Sequence, residues 1–304
     1  MIVVGGENLI DLVQVRDADG LPEFRAVPGG SQYNCALALG RLGANPRYIT
    51  PISTDGMGDL LADALIKSGV QIQGARVEAP SSLAVVTLND GQPSYQFYRE
   101  DTAERQVSMD SLRFSLPTDI SVFQIGSLSL CDGDDADLWA DLFVNLSEEG
   151  VYCTLDPNVR AVFVKDRVSY VARIERMIAA ASLVKISDED LGWLYPDADL
   201  VAKSKELLST SKAQVFVLTQ GADGAIFFTK DRQVTVPAVK VDNLADTVGA
   251  GDTFMSALIY QLQGQQAAPS DTELARVGAF AAKASAINCS RTGCNPPTLA
   301  EMTS

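Results

Sequence analysis

Histidine is missing from all 304 residues. That excludes Ser-His-Asp and Cys-His hydrolases, His-ligated zinc sites and phosphohistidine chemistry. Any general base must be a carboxylate, Lys, Tyr or Cys. Cysteine is sparse: Cys35, Cys131, Cys153, Cys289 and Cys294 make an odd number with no CxxC, which indicates neither a disulfide framework nor a zinc ribbon. Positive charge is also in deficit, with 24 Lys and Arg against 39 Asp and Glu, a net charge of −15. Such a surface repels nucleic acid and anionic lipid, so neither is expected as a partner. No apolar run reaches the roughly 18 residues of a transmembrane helix. The opening residues, MIVVGGENLID, lack the basic region of a secretory signal. A cytoplasmic location with reduced thiols is the expectation.

The chain has the composition of a folded globule, 46% hydrophobic and 21% charged. Short apolar runs alternate with stretches of helical spacing. Strands are expected at 1–5, 47–52, 122–125, 151–155, 183–186 and 215–219. Helices are expected at 31–42, 57–68, about 134–149, about 168–180, from 187, near 199–209, about 250–263 and 271–288. Alternation of this kind predicts an α/β fold whose parallel sheet is covered on both faces. Two regions break the pattern. Segments 12–28 and 71–107 are β-rich, and Asn89-Asp90-Gly91 between apolar runs is a strong hairpin signal. They read as a small inserted β-sheet, a lid. A second hairpin is expected at 225–236. No linker divides the chain, so residues 1–304 read as one domain.

The most informative stretch is Asp246-Thr-Val-Gly-Ala-Gly-Asp-Thr-Phe254. Gly249, Ala250 and Gly251 fall where a helix begins. Glycine lets the backbone approach a ligand, and the free N–H groups of the first turn point at an anion. Asp252 follows in that turn, where a carboxylate can take the proton of an attacking hydroxyl. A dinucleotide-binding dehydrogenase is disfavoured: Gly5-Gly6-Glu7-Asn8, after the first strand, is not GxGxxG.

This nonapeptide resembles the C-terminal signature of the ribokinase-like (PfkB) carbohydrate kinase family. Gly29-Gly30-Ser-Gln-Tyr-Asn34, continuing to Gly40-Arg-Leu-Gly43, resembles the family's N-terminal signature. The resemblance covers nearly the whole chain. It implies a three-layer α/β/α sandwich with a mostly parallel central sheet and a small β-sheet lid, and transfer of a phosphoryl group from ATP to a sugar hydroxyl. It further implies Asp252 as base, Gly249, Ala250 and Gly251 as anion hole, and sugar contacts from Asp11, Gly29, Gly30 and Asn34. The turn Thr219-Gln-Gly221-Ala-Asp-Gly224 matches the nucleotide-binding turn, and Asn288 a position close to the adenine. In Lys185-Ile-Ser187-Asp-Glu-Asp190, Ser187 and Asp190 stand where the family carries Asn and Glu, so Asp190 would hold Mg²⁺ through water, while Ser187 also fits a helix cap. Asp246 matches a K⁺ ligand of some members. Related lids pack against a second subunit, so a homodimer is expected.

Two segments narrow the substrate. Asp156-Pro-Asn-Val-Arg160 resembles fructokinases and 2-keto-3-deoxygluconate kinases, and Arg160 suits recognition of oxygens or support of the phosphoryl charge. Phe97-Tyr-Arg99 through Arg105 resembles the fructokinase lid, which makes Arg99 a candidate sugar contact. D-fructose is the expected acceptor, with another ketose or keto acid as the alternative. Gln32-Tyr33 departs from the small residues usual there, and a tyrosine near the sugar would reshape the pocket. A sugar-binding regulatory relative without activity would usually have lost Asp252 or the glycines, and both are present.

Overall fold

The computed structural model describes residues 1–18, 21–89, 92–263, 265 and 267–303, with the backbone alone at 16–18, 88–89 and 92–95. In its first part β1 (Ile2–Val4) leads to β2 (Leu9–Ala18), β3 (Leu21–Gly29), α1 (Ser31–Arg41), β4 (Arg47–Tyr48), β5 (Ile52–Ser53) and α2 (Gly56–Lys67). Then come β6 (Gln71–Ile72), β7 (Arg76–Val77), β8 (Leu83–Asn89), β9 (Gln92–Tyr98) and α3 (Met109–Phe114). Regular alternation follows: β10 (Val122–Gly126), α4 (Asp134–Glu148), β11 (Tyr152–Asp156), α5 (Arg167–Ala180), β12 (Leu183–Ser187), α6 (Asp188–Leu194), α7 (Leu200–Ser209) and β13 (Val215–Thr219). The hairpin β14 (Ala225–Thr229) and β15 (Arg232–Val236) precedes α8 (Ala250–Leu262), α9 (Asp271–Cys289) and α10 (Leu299–Thr303).

Nine strands form the main sheet in the order β15-β14-β13-β12-β11-β10-β1-β4-β6. All its pairings are parallel except the two that join β13, β14 and β15. Its inner strands, such as β1, β10 and β14, are buried along their whole length because both faces are covered, while the edge strand β15 is largely exposed. The period of two then sorts their side chains. Phe216, Leu218, Ile226 and Phe228 pack with Trp139, Phe143, Ile174 and Leu208 from α4, α5 and α7. Val215, Val217, Ala225 and Phe227 pack on the other face with Leu39, Leu65, Leu258, Leu274 and Ala281 from α1, α2, α8 and α9. The three layers expected from the alternation are present.

The small sheet has the order β3-β2-β8-β9, with β2 and β8 parallel and the outer pairs antiparallel. Segment 71–107 is divided among three sheets: β6 extends the main sheet, β7 pairs with β5, and only β8 and β9 enter the small one. The expected strand at 47–52 is likewise split into β4 and β5. Asp90-Gly91, the tip of the expected hairpin, lies outside the described residues. β3 runs into α1 with Gly30 alone between them.

Gly40 shows why a glycine can sit inside a buried helix. A Cβ there would press on the Ser68 carbonyl oxygen and lie 2.9 Å from Val70 Cγ2, so it is the close approach of the turn after α2 that demands it. Gly40→Ala is expected to lower stability by about 1–3 kcal/mol, although alanine is the better helix former in isolation. A thermal melt with a Tm at or above wild type would overturn this account.

Candidate active site

Parallel α/β sheets collect ligands at the carboxyl ends of their strands. Here β11 ends in Asp156, β12 in Ser187 and β13 in Thr219, with Ser187 and Thr219 paired in register. The head of α8 is at the same end. Gly249 adopts the left-handed conformation at φ 75°, and a Cβ on it would lie 2.5 Å from Cys294 Sγ. The Ala250 N–H returns to the Thr247 carbonyl and the Thr253 N–H to that of Gly249. Among the described residues, the N–H groups of Gly251 and Asp252 find no such acceptor. They are the donors that an anion at the helix start would use.

Asp252 is buried. Its Oδ1 accepts from Ser31 Oγ at 2.7 Å and from Asn158 Nδ2 at 3.4 Å, and its Oδ2 accepts from Asn34 Nδ2 at 2.8 Å. Burial raises its pKa, opposed by the hydrogen bonds from Asn34 and Ser31. Lys185 Nζ, also buried, bonds Asp156 Oδ2 at 2.8 Å and would lie 3.1 Å from a Cβ on Gly251. Burial pulls the Lys185 ammonium down, yet Asp156 beside it outweighs that and keeps it charged. Asp190 lies in the first turn of α6 with its N–H on Ser187 Oγ, and its Oδ1 accepts from the Val159 N–H at 3.0 Å. Burial, then Asp156, raises its pKa.

A cleft of about 820 Å³ opens over these groups. Arg160, Lys185 and Asp190 line one side, Thr219, Gly221 and Gly224 another, and Ala250 and Gly251 the base. Val239, Val241, Leu244 and Ala286 give it an apolar wall. A phosphate chain fits the polar end and a flat ring the apolar one. Arg160 Nη1 donates to Asn158 Oδ1 at 2.6 Å, so this guanidinium also holds Asn158 toward Asp252.

On the small sheet, Asp11 is half-buried and no hydrogen bond is made to its carboxylate among the described residues; burial lifts its pKa to about 6. A Cβ on Gly29 would collide with Asp11 Oδ2, and one on Gly30, at φ 107°, would meet the Glu7 carbonyl oxygen at 2.9 Å. Gly30 is fixed by the approach of backbone, and a side chain at Gly29 would displace the Asp11 carboxylate.

Several expected site residues do something else. Asn34 gives its amide nitrogen to Asp252, while its buried Oδ1 has no hydrogen-bond partner among the described residues. Arg99 is buried in a two-pronged pair with Glu104, at 2.7 and 3.2 Å, and does not line the cleft. Asn288 is buried and does not face the cleft; its Nδ2 donates to the Val248 carbonyl and its Oδ1 accepts from the Asn295 N–H, so it ties two loops together. Asp246 is a second clasp, accepting N–H groups from Val248 and Gly293. Tyr33 points into the core, with its hydroxyl on the Leu61 carbonyl at 2.8 Å and its ring edge-on to Tyr48, so it does not shape a sugar pocket.

Four groups at the site escaped the sequence reading: Glu7, Ser31, Asn158 and Lys185. Glu7 is fully buried, accepts from the Ser31 N–H at 2.9 Å and that of Ser129 at 3.4 Å, and is lifted by burial to a pKa of about 7. All four stand inside stretches that the sequence singles out, Glu7 in Glu7-Asn-Leu-Ile-Asp11, so the signal was present but carried no direction.

A description of the pfkB family carbohydrate kinases matches residues 1–301. A fructokinase of Rhizobium leguminosarum bv. trifolii is 39% identical over 264 residues, covering 86% of this chain and 80% of that protein. The probable fructokinase-3 of Arabidopsis thaliana is 32% identical over 303 residues, covering 97% and 88%. Among solved structures, a fructokinase of Xylella fastidiosa with bound ATP superposes with a TM-score of 0.90 at 26% identity, covering 99% of this chain and 96% of that one. With a family match along nearly its whole length and relatives at this level of identity, the chain belongs to the pfkB family of carbohydrate kinases.

Proposed function

We propose that the protein transfers the γ-phosphoryl group of ATP to a hydroxyl of D-fructose. The observation that carries this reading is the Asp252 carboxylate, buried beside the unclaimed N–H groups that begin α8 and next in sequence to Gly251, which lines the base of the cleft. The adenosine lies along the apolar wall of the cleft and the phosphates reach the head of α8. Asp252 takes the proton of the attacking hydroxyl, while the N–H groups of Gly251 and Asp252, with Gly249 giving the turn its shape, stabilise the charge on the transferring group. Arg160 and Lys185 add positive charge on the same side.

The lid side supports a neutral ketose. Asp11 offers an unengaged carboxylate to hydroxyl donors, and Arg99 is consumed by Glu104. An acid sugar would meet Asp11 with Arg99 already engaged by Glu104. The fructokinase relatives point the same way.

Mg²⁺ fits these residues. Asp188, Glu189 and Asp190 put oxygen donors on the cleft wall, yet among the described residues no three ligating side chains gather as a metal cage. That suits an ion which keeps its waters and is held by nucleotide phosphates, with Asp190 touching those waters. When bound, it supplies charge neutralisation of the phosphates. K⁺ fits less directly, because both Asp246 oxygens already accept backbone N–H groups. The reading also includes residues 1–304 as one kinase domain in the cytoplasm, with 12–28 and 71–107 contributing the lid. A homodimer would cover the exposed Val15, Leu21, Phe24 and Tyr98 of the small sheet.

With Mg-ATP and D-fructose, ADP release is expected, and Asp252→Asn should reduce kcat by roughly 10²–10⁴-fold. Turnover only with another sugar, or an active Asp252→Asn enzyme, would overturn the assignment. Because Asp252 works ionised and burial raises its pKa, kcat/KM should climb with pH through a value above the ordinary carboxylate range near ~3.9 and fall on the acid side. Asp11→Asn should raise the KM for fructose by about 10-fold or more while the KM for ATP holds; an unchanged sugar KM would remove Asp11 from the site. Light scattering at micromolar concentration should give twice the chain mass, and a monomer would end the dimer proposal.

A further inference from the structure

A buried file of hydrogen bonds runs from the central sheet to Asp252. Gln124 Nε2 donates to the carbonyl oxygen of Ile125 at 3.2 Å. A carbonyl only accepts, so this contact fixes which end of the Gln124 amide is nitrogen. The same Nε2 donates to Gln32 Oε1 at 3.0 Å, and Gln124 Oε1 accepts from Thr154 Oγ1 at 2.6 Å. Gln32 is thereby oriented too, and its Nε2 donates to Ser31 Oγ at 3.3 Å. A second file arrives from the cleft. Arg160 only donates, so Asn158 Oδ1 must face it, and Asn158 Nδ2 donates to Ser31 Oγ at 2.9 Å. A hydroxyl has two acceptor positions and one proton. Both acceptor positions of Ser31 are filled by amide N–H groups. Its proton is left for Asp252 Oδ1, 2.7 Å away.

We propose that Ser31 is a positioning residue for the base, its single proton forced onto Asp252 Oδ1 by the Gln124–Gln32 file and by Asn158, so that it holds the carboxylate ionised and aimed. The inference rests on Asp252 being the base. Asn34 restrains the other oxygen, which leaves the remaining lone pairs of Oδ2 for the substrate hydroxyl. Other groups face Asp252 from the elements around it: Asp156 from β11, Lys185 from β12, the Cys35 thiol from α1 and Cys294 from the loop after α9. Asp156 and Lys185 neutralise one another at 2.8 Å, and burial raises both thiols, so they stay neutral. The hydroxyl of Ser31 and the amides of Asn34 and, at longer range, Asn158 are then the donors that offset the desolvation of the base.

The test compares the pH dependence of kcat/KM for fructose in wild type, Ser31→Ala, Ser31→Thr, Gln32→Leu and Asp252→Asn. Ser31→Ala should move the acidic limb up by about one pH unit, since it removes one hydrogen bond to a charged acceptor. Below that limb the rate should fall roughly tenfold, with the KM for ATP unchanged. Ser31→Thr keeps the hydroxyl and should restore the wild-type limb. Gln32→Leu leaves Asn158 to orient Ser31 and should move the limb the same way by less. This variant also serves if Ser31→Ala does not fold. A folded Ser31→Ala enzyme with an unmoved limb, or in its place a folded Gln32→Leu enzyme with an unmoved limb, overturns the inference. Asp252→Asn separates the two levels. If it is inactive while the serine variant keeps its limb, only the positioning role fails. If it is active, the base assignment fails and the inference with it.

Discussion

Everything at the site depends on satisfying one buried carboxylate. Taking an ionised group out of water is expensive unless donors replace the lost hydration. Asp252 gets those donors from residues 218 and 221 positions away in sequence, Asn34 and Ser31, and from Asn158 on the loop after β11. The two signature motifs are therefore two halves of one solvation shell. α1 and α8 pack side by side on the same face of the sheet, and the Ser256 hydroxyl adds a bond to the Cys35 carbonyl. Fold and base cannot be specified separately, because the helix contact that builds the core also solvates Asp252.

The Asp156–Lys185 pair answers a related problem on the next strands. A lysine with no partner at this depth would lose its proton, and an aspartate would gain one. Paired with Asp156, the Lys185 ammonium stays charged. The result is a positive charge beside Gly251, reinforcing the helix start. Asp190, raised by burial and by Asp156, completes the set at the wall of the cleft.

The sequence was legible wherever backbone geometry dictated residue type. Gly29, Gly30, Gly40 and Gly249 each stand where a Cβ would strike something, and a motif built on such glycines reads clearly. The alternation of β10 through β13 with its helices was legible because both sheet faces are buried. Strands of two residues, such as β4 to β7, were not, since no periodicity exists at that length. Side-chain direction was also hidden. Tyr33, Arg99 and Asn288 are polar or aromatic residues expected at the site, and each turned inward to satisfy a backbone carbonyl, a buried carboxylate or a loop. Residue type gives a hydrogen-bonding capacity, but only the fold decides which partner uses it.

The lid and the base share a boundary. β3 carries Gly29 beneath Asp11, Gly30 spans the gap at a φ of 107°, and Ser31 begins α1 with its N–H on Glu7 and its hydroxyl on Asp252. Three consecutive residues thus connect Asp11, the carboxylate proposed to hold the sugar, with Asp252, the carboxylate proposed as the base. Gly30 has no room for a side chain and little freedom to move, because the Glu7 backbone lies against it. Glu7 in turn accepts from both Ser31 and Ser129, which pins the start of α1 to the turn after β10. A sugar bound against Asp11 is therefore registered to Asp252 through a short, braced stretch of backbone, not through the long reach of flexible side chains. That is the precision an in-line transfer requires, where small misplacements of the attacking oxygen are costly.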